Sequence, residues 1–351
     1  MVKAAAFAVP GDLATPTGGY AYDRRIIAGL AALGWQIDVI DLGEGFPRPS
    51  PQTLAAARTL LARVPDHRTI VIDGLAFGVI PELAADLSRA HPLLALVHHP
   101  LALESGLSDG EARLFQSREI AALACARHIV TTSAATARLL AVDYGVAQEN
   151  ISVVRPGTDR AALARGRRGS DDGAVALLAV GAVVPRKGYD LLVAALARLE
   201  HLPWRLSIVG DCRRSPDMLR RLEADMARCG LAGRIRLRGA LSADELASLY
   251  AASDVFVLPS RFEGYGMAFA EAIAHGLPVV GTRAGAIPDT VPSDAGVLVP
   301  PDDVEALAAA LRRLIEDTHE RARLAAGARA ATFPTWQEQA ALFAAVLDRL
   351  A

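Results

Sequence analysis

Cysteine is nearly absent from this chain: among 351 residues only Cys125, Cys212 and Cys229 occur, far apart and without metal-ligand spacing. An odd count with no paired spacing argues against a disulfide framework and fits a reducing, cytoplasmic compartment. Long hydrophobic runs are also missing. No stretch reaches the roughly 18 to 20 apolar residues of a spanning helix, so at most peripheral membrane contact is expected. The opening "MVKAAAFAVPGD" breaks at Pro10 and Gly11 after a short apolar run and reads as a first strand rather than a signal peptide. Neither charge sign dominates: the formal net charge of −2 offers no bulk attraction to nucleic acid.

Nucleotide fingerprints are missing as well. No G-x-G-x-x-G follows the first strand, and the nearest approach, Gly264-Tyr265-Gly266, has Phe269 where the third glycine belongs, which removes the main support for a nicotinamide oxidoreductase. No G-x-x-x-x-G-K-[ST] is present, against a P-loop NTPase. The D-x-D spacing does not occur, and no His/Asp/Glu cluster has ligand spacing along the sequence. Neither a metal nor another cofactor is expected.

What is present is alternation. With 52% hydrophobic and 22% charged residues, the composition suits a globular protein with a large core, and the length suits two domains. Short runs such as "KAAAFAV", "TIVIDG", "LLALVHH" and "HIVTTS" alternate with helical stretches such as "YDRRIIAGLAALG" and "ATARLLAVDYG". The pattern lapses at "DRAALARGRRGSDDG", an exposed linker by composition, then restarts with "VALLAVGAV", "RLSIVGD", "DVFVLPS" and "PVVGT". This is the signature of two Rossmann-like, doubly wound α/β domains in tandem, with a ligand cleft expected at the carboxyl ends of their strands.

One stretch suggests chemistry. In "VFVLPSRFEGYGMAFAEAIAHGLPVV" a strand leads into a loop with Glu263, Gly264 and Gly266, then a helix from about Met267 that stops at Gly276. A loop without side chains feeding a helix N-terminus presents N–H groups and a positive dipole end to a phosphate. Glu271 lies within reach of whatever binds there, because helical side chains lean back toward the N-terminus. A carboxylate beside a diphosphate needs neutral partners, and two ribose hydroxyls satisfy both its oxygens. The competing reading is an exposed helix glutamate behind a tight turn.

Glu263 and Glu271, separated by seven residues, resemble the E-x7-E pair of the retaining glycosyltransferases of family 4, which have the two-domain GT-B fold. In the first half "TPTGGYAYDRRIIAGLAALG", and in the second "VGAVVPRKGYDLLVAAL", "LSIVGD" and "GVLVPPDDVEALAAAL", fall in the family's order around this pair. The resemblance implies an acceptor-binding domain over 1–165, a nucleotide-sugar-binding domain over 174–330, and a segment 331–351 crossing back to the first. It implies that Glu271 holds the donor ribose and Glu263 contacts the transferred hexose. Lys187 would neutralise the diphosphate, helped by the backbone of Gly266 and Met267. Gly18 and Gly19, in the loop after the first strand, would approach the same diphosphate, and the base would lie near Gly239 and Ala240. The partners implied are a nucleotide sugar donor and a hydroxyl acceptor: a saccharide, a lipid or a small metabolite.

The chain departs from the family pattern at Ala182, where a second cation is usual; Arg186 is the available substitute. The family also places a histidine near the donor at the end of the strand "LLALVHH", but His98 and His99 cannot be ranked from sequence, since neighbouring strand residues point oppositely. Glu104 is either an acceptor ligand or a surface residue. Besides a metal-independent retaining transferase, a nucleotide-sugar 2-epimerase or hydrolase and a catalytically weak sugar-nucleotide-binding protein share this architecture.

Overall fold

The structure, a computed structural model, describes residues 3–104, 106–159, 161–164 and 173–350. Most of the anticipated linker, residues 160 and 165–172, lies outside the described residues. Contacts divide the chain into two compact units, Met1–Gly157 with Pro334–Ala351, and Thr158–Phe333.

The first unit is built on six parallel strands, β1 (Ala4–Val9), β2 (Gln36–Asp41), β3 (Thr69–Asp73), β4 (Leu93–Val97), β5 (His128–Thr131) and β6 (Ile151–Val153), in the order β2-β1-β3-β4-β5-β6. β3 and β4 are buried at every position, because helices cover both faces of a parallel sheet; that is why "TIVID" and "LLALV" are nearly unbroken apolar runs. β2 forms the edge and is largely exposed.

The helix Gly18–Ala32 starts four residues before the expected "YDRR", since Thr17 caps it by accepting a hydrogen bond from the Tyr20 amide at 3.2 Å. Gly18 and Gly19 therefore form the first helical turn and are not loop residues, a correction to the sequence expectation. The C-terminal helix Trp336–Asp348 packs on this same helix within the first unit, where a Cβ at Gly29 would come 2.4 Å from the Ala340 Cβ. Phe343 stacks on Phe7 with centroids 6.3 Å apart.

The second unit has β7 (Val175–Val180), β8 (Trp204–Val209), β9 (Ile235–Leu237), β10 (Val255–Leu258), β11 (Val279–Thr282) and β12 (Gly296–Val299), all parallel, in the order β12-β11-β10-β7-β8-β9. Counted within its own unit this is the strand order of dinucleotide-binding folds, whereas the first unit has the flavodoxin-like start, 2-1-3. Strand order reverses between β1 and β3 in the first unit and between β7 and β10 in the second. Ligands of open parallel sheets bind outside the carboxyl ends of strands at such reversals. Among the described residues no helix is long and apolar enough to cross a membrane.

Candidate active site

In the second unit, the loops leaving β7 and β10 meet at the reversal. Pro185–Lys187 form one 3-10 turn ending at Gly188, whose φ of 69° is left-handed. A Cβ there would fall 2.1 Å from the Pro259 carbonyl oxygen, so only glycine lets the two loops touch. Arg261 ties them further, its amide donating to the Arg186 carbonyl at 2.8 Å and its guanidinium gripping Asp190.

Glu263 sits inside this junction, only 6% exposed. Lys187 Nζ lies 2.6 Å from its Oε1, Arg186 3.2 Å from its Oε2, and the Ser260 hydroxyl donates to Oε1 at 2.6 Å. Burial opposes ionisation, but Lys187 and Arg186 outweigh it and bring the carboxyl down to about 2. Arg186, the proposed stand-in for the cation absent at Ala182, is thus engaged with Glu263 and with the Phe262 carbonyl at 2.8 Å.

The loop continues through Gly264 to Gly266, φ 91°, which opens the helix Met267–Ala274 with no side chain capping it. The Phe269 amide donates to the Gly266 carbonyl at 2.9 Å, so the first N–H groups, from Met267, stand at the positive end of that helix without a side-chain cap. Glu271 stands in its second turn, where the Tyr250 hydroxyl donates to Oε2 at 3.1 Å. Tyr250 is itself fixed by stacking on His275, ring centroids 4.7 Å apart. Burial pushes the Glu271 carboxyl up, and the Tyr250 hydrogen bond pulls against it. The freely exposed reading of Glu271 does not hold: it is half-buried, with one oxygen engaged and no hydrogen bond to the other among the described residues. Gly239, φ 69°, follows β9, its carbonyl accepting from the Gly210 amide at 2.9 Å, and Ala240 is exposed beside it. No hydrogen bond among the described residues joins these two to the Glu263 cluster.

In the first unit, His98 follows β4 and its Nε2 lies 3.1 Å from Asp23 Oδ1 and 3.3 Å from Asp73 Oδ2. Asp73 closes β3, where its Oδ1 also accepts the Leu75 amide at 2.7 Å. Asp23 comes from the second turn of the helix Gly18–Ala32 and is 0% exposed. Burial works against a charge on His98, but Asp23 and Asp73 outweigh it and hold the imidazole up at about 10, while burial lifts Asp23 to about 7. Gly19 packs on the ring: a Cβ there would stand 3.3 Å from His98 Cδ2. His99 turns elsewhere, to Glu104 Oε2 at 3.2 Å, in a partly exposed pair. Glu119, on the helix Asp109–Leu123, is also buried, accepting the Leu101 amide at 3.0 Å, and burial raises its carboxyl to about 8.

Asp23, Asp73 and His98 are the one group among the described residues whose donor atoms gather closely enough for a metal ion, within 4.8 Å. Both carboxylates are already at hydrogen-bond distance from the ring nitrogen, which accounts for the grouping without an ion.

The fold therefore brings Glu263, Lys187 and Arg186 together beside Gly264, Gly266 and Met267, and separately gathers His98 and Gly19 with two aspartates. Sequence reasoning missed Asp23, Asp73, Tyr250 and Ser260. Asp73 had a signal, a lone carboxylate ending an otherwise apolar strand in "TIVIDG"; Tyr250 and Asp23, on ordinary amphipathic helices, had none.

Two parallel six-stranded α/β sheets in one chain are the architecture of the GT-B fold. Residues 174–317 match the family described as glycosyl transferases group 1. Over 321 residues the chain is 32% identical to an MMP alpha-(1->4)-mannosyltransferase of Mycolicibacterium hassiacum, covering 87% of this chain and 76% of that enzyme. It is 39% identical to a D-inositol 3-phosphate glycosyltransferase of Xylanimonas cellulosilytica over 222 residues, 58% of this chain and 52% of that one. Among solved structures, sucrose-phosphate synthase from Thermosynechococcus elongatus superposes with a TM-score of 0.82 at 23% identity, covering 99% of each chain. The chain belongs to the group 1 glycosyltransferases, family 4, and has their GT-B fold. As such it is a glycosyltransferase that draws on a nucleotide-sugar donor.

Proposed function

We propose that the protein transfers a hexosyl unit from a nucleotide diphosphate sugar to an acceptor hydroxyl with retention of anomeric configuration and without a metal ion. The observation that carries this reading is Glu263, buried between Lys187 and Arg186 immediately ahead of an uncapped helix N-terminus. In this reading the diphosphate lies against the N–H groups of Gly266 and Met267, and Lys187 meets the charge that grows on the leaving oxygen, the kind of fixed electrostatic stabilisation that dominates many enzymatic barriers. Glu271, oriented by Tyr250, takes the ribose hydroxyls. Glu263 keeps two cations in place and offers its carboxylate to hydroxyls of the sugar. The one carboxylate of the cluster, Glu263, is held in ion pairs with Lys187 and Arg186, which supports a front-face reaction in which the leaving diphosphate helps to remove the acceptor proton on the face from which it departs. The named activity of the Mycolicibacterium relative makes mannosyl donors the first to try.

Incubation with UDP, GDP and ADP sugars, with and without a panel of saccharide, lipid and polyol acceptors, tests the reading. Product formed only with acceptor, in the presence of EDTA and with the donor's anomeric configuration by proton NMR, is the expected result. Steady release of free nucleoside diphosphate without acceptor would point to an epimerase or hydrolase, and an inverted product would overturn retention.

A further inference from the structure

We infer a second anion site within the second unit, apart from the Glu263 cluster: a recess on the sheet face formed by β7, β8 and β9, in which Arg205, Arg236 and Arg238 take a phosphate group, free or carried on a small phosphorylated molecule. It does not depend on the transfer reading.

Strand register builds the recess. Ala176 of β7 pairs with Arg205 of β8, and Ser207 of β8 pairs with Arg236 of β9, so these four side chains share one face of the sheet. Parallel sheets of this kind are covered on both faces, and β8 is an interior strand, with β7 on one side and β9 on the other. Arg205 and Arg236 are nonetheless exposed. The helix Ala243–Ala251 and the residues after it bound this face through Leu249 and Ser253, leaving a cavity of about 180 Å³ lined also by the small Ala176, Ser207 and Gly233. A Cβ on Gly233 would meet nothing within 4 Å, so that side is open. Shielding of a sheet edge by charge accounts for Arg236 on β9 and Arg238 just after it, but not for Arg205, which lies on no edge. Arg205 stands near the start of β8, whereas the Glu263 cluster lies beyond the carboxyl ends of β7 and β10.

The positive charge there is crowded. Arg234, a fourth arginine lining the cavity, stacks on Trp204 at 3.9 Å and donates to the Glu200, Leu202 and Trp204 carbonyls, which commits it to the fold. Burial holds its guanidinium below the ordinary value, and the charge of Arg205 adds to that against the pull of Glu200. Arg236 makes no ion pair and no side-chain hydrogen bond among the described residues, and the Ser207 hydroxyl has no partner among them either. Two carboxylates at the margin are already engaged: Asp254 accepts the Ala176 amide at 2.8 Å, and Glu245, which attracts Arg238, accepts the Ser242 amide and hydroxyl at 2.9 and 2.7 Å. Guanidinium forks match phosphate oxygens two at a time, and a hydroxyl adds a further donor. A cavity of about 180 Å³ takes one phosphate with a short substituent and not a polymer, and a net charge of −2 gives no field that would draw in nucleic acid or an anionic bilayer.

The test is calorimetric titration of the full-length protein with inorganic phosphate and, separately, with glycerol phosphate, against sodium chloride at equal ionic strength. The background is Lys187→Ala, which disables the proposed diphosphate site. Saturable binding is expected there, and adding Arg205→Gln and Arg236→Gln should weaken it by about tenfold or more. Tighter binding of glycerol phosphate assigns the recess to a phosphorylated small molecule, and tighter binding of inorganic phosphate assigns it to the free ion. With Lys187 intact, the Arg205→Gln, Arg236→Gln protein should bind UDP, GDP and ADP as the wild type does. Equal phosphate affinity with and without the two arginines, or no saturable binding, would overturn the proposal. So would loss of nucleotide binding in the double variant, which would make the recess part of the donor site, or binding confined to vesicles containing phosphatidic acid, which would make it a membrane-facing surface. If either background fails to fold, the wild type and Arg236→Gln compared directly decide it, with phosphate binding weakened several-fold in the variant as the expected result. If no nucleotide binds the wild type, the donor reading fails while the phosphate comparison stands on its own.

Discussion

The two units share a sheet architecture and place their charged clusters at equivalent points, where strand order reverses, yet the electrostatics are opposite. In the second unit one buried carboxylate, Glu263, is flanked by two cations and driven strongly acidic. In the first, two buried aspartates share one histidine, and the carboxyls of Asp23 and Glu119 are lifted toward neutrality. The difference teaches that the reversal point fixes where charged residues gather but not the sign of their balance, which is set by the few residues on the loops leaving those strands.

The sharpest way to break this contrast is to neutralise the acidic member. Glu263→Gln leaves Lys187 and Arg186 buried without their counter-ion and is expected to destabilise by about 3 kcal/mol. It should also lower turnover by on the order of 100-fold or more. Chemical denaturation and initial rates check both. Because its folded carboxyl lies below the ordinary value, Glu263 contributes stability that is present above about pH 4.5 and lost as pH falls toward about 2, so the variant should flatten the acid arm of the stability profile.

Glu119 should behave in reverse. Its folded carboxyl lies above the ordinary value, so its contribution is complete below about pH 4.5 and is lost as pH rises through about 8. Glu119→Gln, which removes the ionisation, should therefore flatten the alkaline arm, an effect of at most about 5 kcal/mol that melting curves from pH 5 to 9 would reveal. If both variants moved the same arm, the electrostatic contrast between the units would be wrong.

Next in size is Tyr250→Phe, which removes the hydroxyl that steadies Glu271. A rise of about tenfold in the KM for donor, with a stability loss near 1 kcal/mol, is expected. The smallest effect belongs to Lys3→Ala. That residue pairs with Asp348 at 2.7 Å on the surface, more than half exposed, and its loss should change stability by less than about 0.5 kcal/mol and turnover not at all.

How much of this was legible in the sequence follows the same division. The second unit's candidate site is mostly local: Glu263, Gly264, Gly266, Met267 and Glu271 lie on one strand–loop–helix segment, and Lys187 sits in an equally readable turn after β7. The doubly wound fold was legible too, since β3, β4 and β10 are buried throughout and their apolar runs announce parallel strands. The first unit's cluster is not local. Asp23, Asp73 and His98 lie 50 and 25 residues apart in sequence and meet only because β1, β3 and β4 are adjacent in the sheet. Neither the choice between His98 and His99 nor the helical setting of Gly18 and Gly19 could be read without that register. Tyr250 is hidden for the same reason, 21 residues before the carboxylate it holds.

The central claim for the molecule is that the second unit's cluster is a diphosphate site. Calorimetric titration of UDP, GDP and ADP into the wild type, Lys187→Ala and Glu271→Ala tests it directly. At least one nucleoside diphosphate should bind the wild type, and each variant should weaken that binding by about tenfold or more, as expected for losing a charge-assisted contact. Equal affinity in all three proteins, or no binding by any of the three nucleotides, would contradict it.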